Sequence, residues 1–179
     1  MNKVDMKIMK NKQRGSFVLE ALIAILLFAI GILAIVGLQA ASIGNAASAK
    51  YRTDASLLAN QVIAQMWVAD KTPQTLSANF CGGNAPPPTA SCIRVSCATA
   101  GANYSTWAAS FDGAASSVAP ILPGVSVASG TNMPSISIDA CPAPGAPAVY
   151  YWVATVTLNW QAPKDIAPHN YSTVATIND

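Results

Sequence analysis

Between Glu20 and Gln39 lie eighteen consecutive residues, Ala21 to Leu38, with no polar side chain. A run of that length stands at the lower end of what crosses a bilayer as one α-helix. It is apolar on every face, so burying one stripe against a protein core would not satisfy it. Immediately before it stands a single carboxylate, Glu20. A charge at the edge of an apolar span is costly, and its presence implies a cationic partner.

Charge is distributed unevenly around this run. The chain has 179 residues, 10% charged and 52% apolar, with a formal net charge of +2. That is room for one domain of ordinary size plus a membrane segment, and it is not the makeup of a disordered chain. Residues 1–15 carry Lys3, Lys7, Lys10, Lys12 and Arg14 against Asp5, while everything after Gly15 holds five basic and seven acidic residues. The basic excess therefore belongs to the first fifteen residues. It predicts a cytoplasmic N-terminus with the rest of the chain exported, and gives no basic patch for nucleic acid. An ordinary secretory signal has a shorter apolar core and a cleavage site close behind it. Here the first small-residue pattern of that kind, Ala47-Ser48-Ala49, lies well beyond Leu38. A lipoprotein signal is excluded because no cysteine follows the run closely. A plain anchor fits the length but explains neither Gly15 nor Glu20.

The stretch Arg14-Gly15-Ser16-Phe17-Val18-Leu19-Glu20 resembles the prepilin peptidase motif: a basic leader, a glycine with cleavage after it, and glutamate as fifth residue of the mature chain. Gly31 to Gln39, GILAIVGLQ, further resembles the minor pilins of type IV pili, of the PilV type. Ser16 stands where pilins usually have phenylalanine, and the helix lacks the proline common in major pilins. The resemblance covers about the first quarter of the chain. It implies removal of residues 1–15 after Gly15, N-methylation of Ser16, and an assembly contact from Glu20 to a neighbouring subunit's amino terminus. It implies as partners the major pilin, other minor pilins, the prepilin peptidase and an inner-membrane assembly platform, with no cofactor. The location it implies is the inner membrane of a Gram-negative bacterium, spanned once with the globular part in the periplasm, and then the pilus fibre. Physically, glycine permits close approach of the peptidase, and a carboxylate near a helix N-terminus suits the macrodipole.

The helix is expected to continue from Ser16 to Asp70. Residues 39–70 hold no proline, and Tyr51, Ala55, Leu58, Val62 and Met66 recur every three or four positions, giving one apolar stripe. Arg52, Ser56 and Asn60 fall on another face. Met66 and Trp67 both read as core. Asp70-Lys71-Thr72-Pro73 is a stop. From Gln74 to Pro147 the clusters Gly82-Gly83-Asn84 and Pro86-Pro87-Pro88 signal loops, with strand candidates at Cys92–Cys97, Gly124–Ala128 and Pro134–Asp139. Tyr150 to Gln161 is the clearest strand, with Trp152, Ala154, Val156, Leu158 and Trp160 on one face; Tyr171 to Ile177 is the last. The expected class is α+β, the arrangement of the type IV pilin fold. A long N-terminal helical spine packs against a C-terminal antiparallel β-sheet, and disulfides staple it. Its divisions are a leader at 1–15, a membrane and polymerisation half-helix at 16–38, an amphipathic half at 39–70 and a globular domain at 71–179.

Cys81, Cys92, Cys97 and Cys141 all follow the apolar run, and an even count there reads as two disulfides in an oxidising compartment. Three pairings are open; Cys81 with Cys92, across the triple proline, is one of them. Loose cysteine spacing and a single histidine, His169, argue against zinc. His169 falls between Pro168 and Asn170 in an expected loop. Asp112, Asp139 and Asp165 form no paired-carboxylate pattern, and no phosphate-binding loop is present. The expected function is therefore not enzymatic: a minor pilin, in or under the fibre at low copy, that primes or modifies assembly and so supports twitching, adhesion or DNA uptake. The alternatives are a minor pseudopilin of type II secretion, with the same motif, and a single-pass anchored periplasmic binding protein, whose N-terminus would stay uncut.

Overall fold

The computed structural model describes residues 16–85, 87–88, 91–95, 97, 100–111, 121–126, 132–143, 145–163 and 165–177, with the side chains of 143 and 146–150 left aside. The leader 1–15 with Gly15, Asp112 and the end of the expected strand at 124–128 lie outside these residues. One helix, α1 (Ser16–Val68), runs through two compact units that divide between Ala47 and Ser48. Among the described residues, the first unit is that helix alone. Its large apolar side chains are open to solvent, Phe17 at 74%, Leu33 at 71% and Leu38 at 73% among them.

The second unit holds the end of α1, then α2 (Pro73–Phe80), β1 (Ile93–Arg94), α3 (Ala102–Ala109), β2 (Ser135–Ala143), β3 (Ala146–Trp160) and β4 (His169–Ile177). The four strands form one antiparallel sheet in the order β1-β2-β3-β4. It is α+β, with α1 laid on the sheet: Ala55, Leu58, Ala59, Val62 and Met66 form one cluster with Ile136, Ile138, Ala154, Val156, Leu158 and Ile177. The two periodicities meet here, every third or fourth residue of the helix against every second residue of each strand. Tyr51 packs at the edge of the cluster.

Helix α1 ends where the sequence stops it. Pro73 opens α2, and the Asp70 side chain accepts the Thr72 N–H at 3.0 Å, forming a local turn. The eight-residue helices α2 and α3 fall where the sequence reading assigns no element. They complete the core with Leu76, Phe80, Tyr104 and Trp107, joined by Phe111 just beyond α3, and Trp107 Nε1 donates to the Leu58 carbonyl of α1 at 2.9 Å. Gly101 caps α3, and its N–H donates to the Cys81 carbonyl at 2.9 Å. A Cβ there would run into the Asn79 backbone, so only glycine permits this crossing. Trp67 corrects the sequence reading: it is 46% exposed, with the Lys71 ammonium over its ring at 5.7 Å. Adjacent helical residues diverge by about 100°, so with Met66 inward Trp67 turns outward. Residues 124–126 form turn and coil rather than strand.

The disulfides are Cys81–Cys97 and Cys92–Cys141, so the Cys81–Cys92 pairing is not the one formed. Register explains the second bond. Ile93 pairs with Ala140, which brings Cys92 opposite Cys141 with a Cα separation of 4.2 Å. The Gly82 backbone also pairs with Ile136 through two hydrogen bonds of 2.9 and 3.1 Å. The stapled segment thereby extends the sheet beyond the edge of β2, and Ser135, Ser137 and Asp139 are buried as well as Ile136 and Ile138.

Candidate functional site

The residues singled out by the sequence lie at the start of α1. Ser16 is its first described residue, and Glu20 follows one turn later on an exposed surface. Counted from Ser16, Glu20 is past the first turn, beyond the reach of most of the macrodipole. It makes no ion pair or hydrogen bond among the described residues. The next charged residue in the chain is Lys50. Around it Phe17, Leu19, Ile23 and Leu27 are all exposed. The helix is long and apolar enough to cross a membrane, with a mean hydropathy of 3.0 over its best window and none of that window buried. This surface presents one carboxylate in an apolar field. Chemically it can insert in lipid, pack against similar helices, and accept a cation at Glu20.

Two polar groupings in the second unit were not anticipated. On the sheet face away from α1, Arg94 of β1 meets Asp139 of β2: Nε lies 3.0 Å from Oδ1 and Nη2 lies 3.4 Å from Oδ2, while Nη1 donates to the Ala85 carbonyl at 3.3 Å. The Asp139 side chain is 8% exposed and that of Arg94 25%. Ser137 Oγ donates to Asp139 Oδ2 at 3.4 Å. This pair borders a cavity of about 380 Å³ floored by Tyr151, Val153 and Thr155. The two partners are 45 residues apart in sequence, and only the β1–β2 register joins them.

The other grouping surrounds His169, which belongs to β4 rather than to a loop. It pairs with Trp160 in the strand ladder and stacks on its ring, centroids 5.8 Å apart and planes 25° apart. Its Nε2 lies 3.2 Å from Asp165 Oδ2. Burial also marks Tyr104, whose phenol donates to the Pro134 carbonyl at 2.7 Å and is pushed up to about 12 by desolvation. Among the described residues no three His, Cys, Asp or Glu side chains are grouped to hold a metal.

No protein-family model, curated protein or solved structure matches the chain.

Proposed function

We propose that the chain is a minor pilin of a type IV pilus, cut after Gly15 and methylated at Ser16. The observation that carries the reading is the combination at the start of α1. A peptidase-type motif leads into a half-helix exposed on every face, whose one carboxylate has no cation beside it. An anchor needs only the apolar surface. A subunit that must enter a bundle of like helices also needs a means of setting its register, and one buried charge pair does that better than it adds stability. Glu20 pairs with the amino terminus of a neighbouring subunit. The globular unit sits in the periplasm, where the two disulfides form. Its partners are the major pilin, other minor pilins, the assembly platform and the peptidase. It primes or modifies assembly at low copy, with consequences for twitching, adhesion or DNA uptake, and a separate motor supplies energy.

Glu20→Leu tests this. Removing the carboxylate eases insertion, because an acidic side chain costs about 2.5–3.5 kcal/mol at the bilayer centre and less near its edge. The variant should therefore be made, cleaved and held in the membrane as the wild type is, yet be absent from sheared fibres in an immunoblot or leave the cell with fewer fibres. Wild-type incorporation with unchanged piliation would remove Glu20 as an assembly contact.

A further inference from the structure

Where β4 begins, polar side chains from two elements converge on a cavity of about 160 Å³. Ser48 and Arg52 of α1 and His169 of β4 line it, Trp160 of β3 forms a wall, and Asn170 borders it by its backbone, since strand alternation turns its side chain to the opposite face from His169. Ser48 and Arg52 are four residues apart, on one face of the helix. The imidazole is held from two sides, by the Trp160 ring and by Asp165. Asp165 is itself fixed: its carboxylate accepts the Ala162 N–H at 3.0 Å, and its carbonyl accepts from Gln161 Nε2, also at 3.0 Å.

Arg52 is different. It is exposed and makes no side-chain hydrogen bond or ion pair among the described residues. Its own helix offers no acid one turn away, since the positions three and four residues to either side are Ser48, Ala49, Ala55 and Ser56. The nearby Asp54 is bound to Lys50 at 2.8 Å. Ser48 likewise makes no side-chain hydrogen bond among the described residues. The cavity therefore gathers a guanidinium and a hydroxyl with donors to spare, beside an imidazole whose Nε2 is engaged by Asp165.

We propose that this cavity is an oxyanion site that takes a phosphate group. A guanidinium matches two phosphate oxygens at once. The Ser48 hydroxyl can donate to another, and the remaining imidazole nitrogen donates when the ring is protonated. Phosphate reaches such a site free in solution or on a lipid headgroup, and chain length favours the first. Eleven uncharged residues, Gln39 to Ala49, separate the apolar run from Lys50. At about 1.5 Å per residue they extend the helix by roughly 16 Å, whereas a headgroup layer is only about 5–8 Å deep.

The test uses the full chain in detergent micelles, with nitrogen-15 in histidine. His169 is the only histidine, so its ring resonances need no assignment. Inorganic phosphate should shift them saturably where chloride at equal ionic strength does not. Arg52→Gln should weaken the apparent affinity about tenfold or more, the loss of a charge-assisted hydrogen bond, and Arg52→Lys should restore part of it. A phosphate response without any effect of phosphatidylglycerol over phosphatidylcholine in the micelle assigns the site to free phosphate. A response to phosphatidylglycerol below the phosphate range assigns it to headgroups. No shift with either, or an equal shift in Arg52→Gln, overturns the site. The phosphate arm does not depend on the pilin reading, so the two can fail separately.

Discussion

Asp139→Ala probes how the disulfide-stapled segment is fastened to the sheet. The substitution removes both oxygens that hold the Arg94 guanidinium and leaves the cation with the Ala85 carbonyl alone. Breaking a fully buried pair in this way costs about 3–5 kcal/mol. Here the Arg94 side chain keeps 25% of its exposure, so water recovers part of the loss and about 2–3 kcal/mol is expected. The double variant Arg94→Met with Asp139→Leu leaves no stranded charge and should cost less than Asp139→Ala alone. Urea unfolding of the wild type and both variants, followed by tryptophan fluorescence, makes the comparison. A loss below about 0.5 kcal/mol for Asp139→Ala, within the range of ordinary surface changes, would refute the reasoning. So would a double variant as unstable as the single one.

Trp107→Phe removes the bond to the Leu58 carbonyl and some packing between α3 and α1, and should lower stability by about 1–3 kcal/mol in the same unfolding assay. Peptide mapping without reductant should recover Cys81 with Cys97 and Cys92 with Cys141; replacing Cys92 and Cys141 together by Ala should cost about 2–4 kcal/mol. Tyr104 gives a pH signature. Its folded value of about 12 lies above that of an unfolded phenol, so its contribution is complete below about pH 10 and is lost as pH rises towards about 12. Tyr104→Phe should flatten that alkaline fall in unfolding midpoint.

What the sequence revealed follows the strength of its local periodicity. The stripe Ala55, Leu58, Val62, Met66 and the alternation from Ala154 to Trp160 repeat over enough residues to fix both element and face, and both sets are buried. Helices α2 and α3 are eight residues each, two turns flanked by proline and glycine. That is too short for a period to emerge, and tertiary packing decides them. Trp67 is apolar but sits about 100° around the helix from Met66, so hydrophobicity without helical phase does not place it. Pairings set by strand register, Arg94 with Asp139 and Cys92 with Cys141, leave no trace in sequence spacing. At Glu20 the informative feature was the reverse, a residue that violates its surroundings, and such violations mark function more often than packing.

If the chain is a minor pilin, cleavage after Gly15 makes Ser16 its N-terminus. Intact-mass and N-terminal peptide spectrometry of the protein from cells with an active prepilin peptidase should find Ser16 first, carrying one added methyl group on its amine, with residues 1–15 gone. Replacing Gly15 by a bulky residue should leave the precursor uncut. An intact Met1 terminus as the major species in peptidase-positive cells would contradict the pilin account and favour an uncleaved anchor.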